Sequence, residues 1–592
     1  MKDFWKFTGA TVVGLCLFLA IGWLMSFMML ISIAVSGSSS SETKLKSHSV
    51  YELELDGTIE DRASSDDNLT AALQGAMGRD GVKVYGLNDL LENIKKADEN
   101  SEIDGIYLKF GSFSAGFATL KELRNALEAF KFSGKFIVAY SDSYSQGAYY
   151  LASVADKICM HPIGALDWKG LSSTIMFTKR ISDKLGVEMQ VFKVGTYKSA
   201  VEPYILTKMS DANREQMNVL LGDMWEDVCA TVAEGRHLST DKLNELATQC
   251  LTFDKAETIV AEGLVDTLIY KDDIDGVLTS LCGTDNYKLV SHNKMKNVKA
   301  LEKKRTKNKI AVVYASGQIV DEGKSGIIGD DMVETLNDIK DDESVKAVVL
   351  RVNSPGGSAF ASENICQAVK NIRAKGKPVV VSMGDYAASG GYYISSNADY
   401  IIAQPTTLTG SIGIFGLVPN VRKAADMVGV DFDGVATHPM ASFQTDMVYG
   451  QMSETERRLM QQNINRGYDL FTSRCAEGRD TTQQYIFTIA EGRVWSGKRA
   501  LELGLVDQLG NLCDAVDKAS ELADLDYNYK LAEYPEPEDF ATKLLKALDI
   551  ETRIDRIAQK RLGSAYKIAK QIEQLSAKPS IEASMEFVPV IE

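Results

Sequence analysis

Hydrophobic residues in the second half of the chain fall into short runs that alternate with amphipathic segments. Four apolar runs have the length and flanking residues of buried strands, and they are Ile310–Tyr314, Ala347–Val352, Pro378–Met383 and Tyr400–Ala403. Between them, Asp330–Lys340 and Ser362–Ala374 carry apolar residues at helical spacing. Alternating strands and helices predict an α/β fold, because helices then cover both faces of a largely parallel sheet.

The first half of the chain repeats this organisation. Three pairs of segments match, and they are Glu102–Lys109 with Ser344–Arg351, Gly147–Asp156 with Gly390–Asp399, and Glu262–Asp266 with Leu503–Asp507. Their offsets of 242, 243 and 241 residues are nearly constant. Collinear matches at one offset are the signature of an internal repeat. The sequence therefore predicts a tandem duplication of one α/β unit.

The N-terminal region has a different pattern, because no charged residue occurs between positions 7 and 41. An apolar run of about 20 residues is long enough to span a bilayer. We therefore expect residues 1–8 to form a cytoplasmic stub and residues 9–35 a transmembrane anchor. Lys2 and Lys6 precede the run, which favours a cytoplasmic N-terminus and places the rest of the chain outside the cytoplasm. A cleaved signal peptide is the alternative, although its apolar core is usually shorter.

The rest of the chain divides by composition. The predicted segments are an N-terminal domain at 47–293, a linker at 294–309, a C-terminal domain at 310–535, and an extension at 536–592. The linker is expected to be solvated because it contains seven lysines and one arginine. Within the extension, Glu538–Ala577 has amphipathic helical spacing, and Lys578–Glu592 is predicted to be poorly ordered.

Charge and metal-ligating residues exclude several classes of function. The formal net charge of −16 argues against nucleic-acid binding, which usually requires a basic surface. The eight cysteines and five histidines are scattered, without the spacing of a zinc or redox motif. We therefore expect no metal and no cofactor.

Two loops in the second half have the residues that nucleophilic catalysis needs. Asn353-Ser354-Pro355-Gly356-Gly357 follows a predicted strand, and its turn exposes backbone N–H groups that could hold an oxyanion. Ser389 follows the next predicted strand among small residues and precedes a helical pattern. There it has the position of a nucleophile, with the Gly390 amide as one oxyanion donor and Gly356 or Gly357 as the second. Taken alone, the glycine loop fits an ordinary strand-to-helix turn better than an oxyanion site.

A nucleophilic serine needs a base, and the residues alone leave that base open. His438 is the only histidine in the second half, in a segment that also fits a surface role. In the first half, Lys198 lies between small and apolar residues in Thr196-Tyr197-Lys198-Ser199-Ala200. A lysine acts as a base near neutral pH only when burial lowers its pKa by several units, and most lysines are solvated.

The motifs together resemble the signal peptide peptidase A (protease IV) family in its long, double-domain form. The segments that carry the resemblance are Tyr197–Pro203, Asn353–Ser358, Ala387–Tyr393 and Thr409–Ile414. The resemblance implies tandem crotonase/Clp-protease-like domains and a Ser-Lys peptidase. It implies that Ser389 is the nucleophile, Lys198 the base, and Ser411 the residue that orients the lysine amine. It further implies a homotetramer at the extracytoplasmic (periplasmic) face of the cytoplasmic membrane, which degrades cleaved signal peptides.

The duplication supports a division of labour between the halves. In the first half, Gln146 stands where the second half has Ser389, and the matching loop lacks the glycine pair. In the second half, the lysine motif is absent and the region of Thr437-His438-Pro439 takes its place. Ser145 lies one position from the nucleophile position, so a shifted alignment would make it a candidate.

Two other functions fit parts of the sequence. An acyl-CoA enzyme of the crotonase or carboxyltransferase type uses similar glycine loops, but it needs neither a Ser-Lys pair nor a membrane anchor. A catalytically inactive membrane scaffold that binds peptides would not need to keep Ser389, Lys198 and Ser411 together.

Overall fold

The computed structural model describes residues 42–63, 83–299, 306–323, 325–536 and 581–584, together with positions 14, 18, 21 and 22. Within these residues, no helix combines the length and the apolar character that crossing a membrane requires. Apart from those four positions, the predicted anchor at 9–35 lies outside the described residues. Most of the predicted extension at 536–592 lies outside them as well.

The first half contains eight described strands. They are β1 (Ser49–Glu60), β2 (Val84–Gly86), β3 (Ile103–Ser114), β4 (Phe136–Ser141), β5 (Lys157–Met160), β6 (Glu188–Lys193), β7 (Thr267–Leu268) and β8 (Lys288–Ser291). Its α-helices are α1 (Leu87–Glu99), α2 (Phe117–Lys131), α3 (Gln146–Ala152), α4 (Lys179–Lys184), α5 (Glu202–Ile205), α6 (Asp211–Arg236), α7 (Thr240–Gln249), α8 (Ala256–Ala261), α9 (Ile274–Cys282) and α10 (His292–Lys296).

The second half contains thirteen described strands, five more than the first half. Its strands are β9 (Lys309–Ser316), β10 (Ile319–Val320), β11 (Ile327–Ile328), β12 (Val345–Ser354), β13 (Gly356–Ser358), β14 (Val379–Ala388), β15 (Tyr400–Ala403), β16 (Leu408–Gly410), β17 (Phe415–Asn420), β18 (Val494–Ser496), β19 (Gln508–Leu509), β20 (Lys530–Tyr534) and β21 (Ile581–Ser584). Its helices are α11 (Gly329–Asp341), α12 (Ala359–Ala374), α13 (Gly390–Ser395), α14 (Arg422–Met427), α15 (Phe443–Val448), α16 (Glu454–Gly478), α17 (Gln483–Ile489), α18 (Gly497–Glu502) and α19 (Leu512–Leu522).

The described strands form three sheets. A seven-stranded sheet has the order β2-β1-β3-β4-β5-β7, with β8 beside β1, and an eight-stranded sheet is built around β16-β14-β12-β9-β20. Both are parallel except where β16 pairs with β18. The third sheet has the order β11-β10-β13-β21-β17-β6, so it joins strand β6 of the first half to the second half. The prediction of an α/β fold with largely parallel sheets is confirmed.

The strands and helices predicted in the second half are present, with one informative difference. Strand β14 continues beyond Met383 to Ala388. This extension is stabilised because Tyr386–Ala388 pairs with strand β16. As a result, the strand ends directly at Ser389.

The duplication extends to individual hydrogen bonds. Tyr149 donates its hydroxyl to the carbonyl of Leu264, and Tyr392 donates to Leu505 at the matching position. Arg236 forms an ion pair with Asp266, as Arg479 does with Asp507. The tyrosines attach helices α3 and α13 to the end of each unit, and the arginines attach the C-terminal ends of the long helices α6 and α16 to the same place, so the two copies share these contacts.

A buried ionic cluster joins the two halves. The guanidinium of Arg351 lies 2.8 Å from Asp61 and 2.9 Å from Glu122, and both carboxylates belong to the first half. Burial alone would lower the pKa of Arg351, but Asp61 and Glu122 raise it above its usual value. The arginine is therefore charged, and its two partners keep that buried charge compensated.

Two segments differ from what composition suggests. The expected linker begins inside helix α10, and Met295 is fully buried there, so this end of the linker packs against the first half. In the tail that was predicted to be poorly ordered, Ile581–Ser584 forms a strand. It pairs with β13 on one side and β17 on the other, which satisfies backbone groups that a free tail would leave to water.

Candidate active site

Ser389 occupies a sharp turn between strand β14 and helix α13. Its backbone has φ 56° and ψ −112°, a conformation that a non-glycine residue adopts only at a cost. The turn is held because the Ser389 amide donates to Gly410 O at 2.8 Å and the Tyr393 amide donates to Ser389 O at 2.8 Å. The side chain does not cap the helix that follows. Its hydroxyl is thus presented to other residues.

Lys198 of the first half reaches this hydroxyl. Its Nζ atom lies 2.7 Å from Ser389 Oγ. Both residues are enclosed, with Lys198 1% exposed and Ser389 0% exposed. The predicted nucleophile and the predicted base are therefore within hydrogen-bonding distance in a site that excludes bulk water.

Ser411 provides two further contacts to the same amine. Its hydroxyl and its carbonyl oxygen each lie 3.1 Å from Lys198 Nζ. Ser411 has φ 49°, and its amide donates to Arg493 O at 2.7 Å. This left-handed turn brings both of its oxygens to the amine, so Ser411 fixes the direction in which the amine points.

The loop that carries Lys198 is held by a residue that the sequence analysis did not identify. Gln216 of helix α6 donates to Tyr197 O at 3.1 Å and to Ser199 Oγ at 3.0 Å. It also accepts a hydrogen bond from the Val494 amide of the second half at 3.3 Å. No motif marks Gln216, and only its position on a helix after the lysine segment could have suggested this role.

A loop of the second half closes over the lysine. The Tyr197 amide donates to Glu491 O at 3.0 Å. Gly492 has φ 75°, and a Cβ atom built there would lie 2.6 Å from Lys198 Cβ. Only glycine permits this approach. Contacts from both halves therefore fix the backbone as well as the amine of Lys198.

The glycine loop lies beside the turn of Ser389. Gly356 has φ 100° and Gly357 has φ 154°, so both need the freedom of glycine. A Cβ atom at Gly356 would lie 2.7 Å from the amide nitrogen of Gly390. The Gly356 amide itself donates to Ser354 Oγ at 3.2 Å. Gly356 and Gly390 therefore lie against each other next to Ser389, whereas a Cβ atom at Gly357 would meet the backbone of Ile319.

Asp385 connects the strand of the nucleophile to the first half. Its carboxylate accepts hydrogen bonds from the Thr119 amide at 3.0 Å and the Thr119 hydroxyl at 2.6 Å. Burial raises the pKa of the Asp385 carboxyl, and the two bonds from Thr119 oppose that rise. The start of helix α2 in the first half therefore binds the buried carboxylate of Asp385, a side chain of the second half.

The other candidates lie apart from this cluster. His438 is exposed, and its ring contacts the neighbouring Thr437 hydroxyl at 3.1 Å. Ser145 caps helix α3 by accepting a hydrogen bond from the Ala148 amide at 3.2 Å. Gln146 binds the backbone of Lys169 and Gly170. Ser145 and Gln146 therefore have structural roles, and His438 lies at the surface.

Comparisons with known proteins agree with the motif analysis. The sequence model of a protein family, peptidase family S49, matches residues 129–283 and 371–526, which include Lys198 and Ser389. "Protease 4" of Haemophilus influenzae is 38% identical over 524 residues, covering 85% of this chain and 83% of that protein. "Serine protease SPPA, chloroplastic" of Arabidopsis thaliana is 29% identical over 456 residues, covering 75% of this chain and 67% of that protein.

A solved structure is also similar to part of the chain. A ClpP1 mutant from Listeria monocytogenes is 16% identical and covers 35% of this chain and 94% of its own, with a TM-score of 0.24. That score carries no argument, so the crotonase/Clp-protease-like form of each half stays a prediction. Two family matches and the long relatives nevertheless show the tandem form directly. The chain belongs to peptidase family S49, a family of serine proteases.

Proposed function

We propose that this protein is a membrane-anchored serine endopeptidase with Ser389 as nucleophile and Lys198 as general base. The observation that carries the proposal is the separation of 2.7 Å between Lys198 Nζ and Ser389 Oγ, with both side chains buried. A nucleophile within hydrogen-bonding reach of a base, which is itself oriented by a third group, is the arrangement that covalent catalysis needs. Ser411 is the third group.

The proposed reaction begins with Lys198 in its neutral form. The amine takes the proton of Ser389 as the hydroxyl oxygen attacks a peptide carbonyl. Backbone amides of Gly390 and of the Gly356-Gly357 loop stabilise the oxyanion that forms. The lysine ammonium then protonates the leaving amine, and water hydrolyses the acyl-enzyme.

Burial is the physical reason for a neutral lysine. Removing an ammonium from water disfavours the charged form and lowers the pKa of a lysine. Because Lys198 is 1% exposed, we expect a useful fraction of it to be neutral near pH 7. Activity should then be high at neutral and alkaline pH, and it should fall in acid as the amine becomes protonated.

The membrane and the substrate belong to the proposal as well. The uncharged N-terminal run supports an anchor in the cytoplasmic membrane, with the catalytic domains on its extracytoplasmic side. The family resemblance supports cleaved signal peptides and other hydrophobic peptides as substrates, and a homotetramer as the working form. No cofactor is required, because the base and the nucleophile are both side chains.

The alternatives explain less. An acyl-CoA enzyme would not require the Ser389–Lys198 contact, and the matched family is a peptidase family. An inactive scaffold would have no need for the strained turn at Ser389, which costs about 1–3 kcal/mol and serves only to present a hydroxyl.

The test uses the full chain, purified in detergent. It is incubated with a synthetic signal peptide and with a polar peptide of equal length, and the products are followed by mass spectrometry from pH 5 to pH 9. We expect cleavage of the hydrophobic peptide, with a rate that rises with pH on the acid side, and no cleavage by Ser389→Ala. Equal cleavage by Ser389→Ala would refute the assignment of the nucleophile.

A further inference from the structure

Arg493 of the second half packs on two aromatic rings beside the loop that carries Lys198. Its guanidinium carbon lies 4.6 Å from the centre of the Tyr197 ring and 4.5 Å from the centre of the Trp495 ring. An aromatic ring attracts a cation that faces it, and the planar guanidinium of arginine is well suited to such stacking. Because Tyr197 directly precedes Lys198 in the chain, this contact is made one residue away from the proposed base.

Hydrogen bonds fix the same arginine to the first half. Arg493 Nη1 donates to the Tyr197 hydroxyl at 3.2 Å, and Nη2 donates to Glu215 Oε1 at 2.9 Å. The Tyr197 hydroxyl in turn donates to Glu215 Oε2 at 3.3 Å, so the three side chains form a closed ring of hydrogen bonds. The side chain of Glu215 is 53% exposed, and ion pairs at such exposed sites are weak. The stacking on Tyr197 is therefore the contact on which the position of the loop depends most.

The backbone of Arg493 holds the other residue that directs the amine. Its carbonyl oxygen accepts a hydrogen bond from the Ser411 amide at 2.7 Å. The two oxygens of Ser411 that contact Lys198 Nζ belong to the residue fixed in this way. A displacement of Arg493 would therefore change the position of Lys198 relative to Ser411.

A second arginine of the same segment gives a matched comparison. Arg499 also binds helix α6 of the first half, since its Nε and Nη2 atoms lie 2.5 and 2.8 Å from the carboxylate of Asp223. Among the described residues, the hydrogen bonds of its side chain go to Asp223 and to no residue of the lysine loop. Both arginines thus form an ion pair between the halves, but of the two only Arg493 reaches Tyr197.

We propose that Arg493 is a positioning residue for the Lys198 amine, which it holds at Ser389 through Tyr197 and Ser411. This inference rests on the proposed function. The side chain of Arg493 clamps the residue before the base, and its backbone clamps the residue that directs the base. Because Arg493 acts through these two residues, its loss should lower the reactivity of Ser389 and leave peptide binding almost unchanged.

The first experiment measures how fast a serine-directed fluorophosphonate labels Ser389 in the purified full chain. Arg493→Gln should lower the labelling rate by roughly 10- to 100-fold, because small misplacements of a reacting group cost about this much. The matched control Arg499→Gln removes an ion pair to the same helix and should be labelled as fast as the wild type. Circular dichroism checks that both variants are folded.

Two results of this experiment would overturn the inference. One is a labelling rate of Arg493→Gln that equals the wild-type rate. The other is an equal loss in Arg493→Gln and Arg499→Gln, which would mean that any broken ion pair between the halves has this effect.

Substitutions of Tyr197 test the stacking independently of Arg493→Gln. Tyr197→Phe keeps the ring and loses the hydroxyl, so the labelling rate should stay within about threefold of the wild-type rate. Tyr197→Leu removes the ring and should lower the rate as far as Arg493→Gln does. The two losses should not add in the double variant, because both substitutions remove the same contact. Fully additive losses, or a Tyr197→Leu chain that is labelled at the wild-type rate, would contradict the clamp.

Peptide hydrolysis separates this inference from the proposed function. With a synthetic signal peptide as substrate, Arg493→Gln should lower kcat by the same factor as the labelling rate, with KM within about twofold of the wild-type value. A raised KM with an unchanged kcat would overturn the inference and leave the proposed function standing, because Ser389 and Lys198 would still act. A wild-type chain that is not labelled at Ser389 and does not cleave the peptide would contradict both.

Discussion

The two halves of this protein contain the same strand-to-helix turn in two different states. In the second half, Ser389 has φ 56° and ψ −112° and leaves the start of helix α13 without a side-chain cap. In the first half, Ser145 has φ −65° and ψ 162°, and its hydroxyl caps helix α3. The turn of the first half is therefore an ordinary helix start. The turn of the second half has no such cap and is strained, and its hydroxyl contacts Lys198.

The loops beside these turns differ in the same way. The second half has Gly356 and Gly357 at positive φ next to the Gly390 amide. At the corresponding place in the first half, the start of helix α2 is filled by the carboxylate of Asp385. One copy thus has its glycine loop near the Ser389 hydroxyl, whereas in the other the matching region binds a carboxylate of the neighbouring half. The two copies therefore share a scaffold, but they contribute different residues to the candidate site, with Lys198 from the first half and Ser389 from the second.

The largest expected effect comes from removing either member of the proposed pair. Ser389→Ala and Lys198→Ala should each lower kcat/KM for peptide hydrolysis by roughly 10⁴-fold or more, as is found when residues act as a unit. The fold should be kept, which circular dichroism can check. Lys208→Ala, an exposed lysine near the same segment, is the control and should keep full activity. A Lys198→Ala chain with near-normal activity would show that the base lies elsewhere.

The next largest effect is expected on the free energy of unfolding, when the ionic contact between the two halves is broken. Asp61→Asn removes one carboxylate from the buried Arg351, and we expect a loss of about 3–5 kcal/mol in the free energy of unfolding. Urea denaturation measures this loss. Asp56→Asn is the comparison, because Asp56 pairs with Lys83 at an exposed site, where a change of about 1 kcal/mol or less is expected. Equal effects of the two substitutions would contradict the role given to the buried cluster.

A smaller effect is expected at Ser411, which acts through Lys198. Ser411→Ala removes the hydroxyl contact at 3.1 Å and keeps the carbonyl contact, so the amine is less firmly directed. We expect kcat to fall by roughly 10- to 100-fold, because small misplacements of a reacting group cost about this much. The acid limb of the pH–rate profile should also move. If both the pH–rate profile and kcat are unchanged in Ser411→Ala, Ser411 has a structural role only.

The smallest effect on activity is expected in the first half. Gln146→Ser places a serine at the position that matches Ser389, but the first half lacks the glycine pair, and its Lys198 lies at the turn of Ser389 instead. In a Ser389→Ala background this substitution should restore no peptidase activity, and in the wild-type background kcat/KM should stay within about twofold, as for sites remote from the chemistry. Activity regained in the Ser389→Ala background would mean that the first half retains a working site.

The sequence was most informative where residues are locally constrained. The strands that precede Ser389 and the glycine loop could be predicted from their apolar runs, and the turn at Ser389 from the small residues around it. The pairing of Ser389 with Lys198 was supplied by the motifs of a family. Nothing in periodicity could bring together two residues that lie 191 positions apart.

Long-range contacts account for what the sequence did not indicate. Gln216 joins the lysine loop to Val494 of the other half, and neither residue belongs to a motif. Strand β21 consists of four residues, which is too short for a periodic pattern, and it exists because β13 and β17 offer it two edges. Strand β14 continues past its apolar run for the same reason. In each case, tertiary pairing decides the local structure.

The most direct measurement is the reaction of the intact chain with a serine-directed fluorophosphonate, followed by mapping of the modified residue. We predict that Ser389 carries the label in the wild-type chain at neutral pH, and that labelling fails in Lys198→Ala although Ser389 is still present. A label on Ser145 or on another serine would contradict the account. So would a Lys198→Ala chain that is labelled at Ser389 as fast as the wild type.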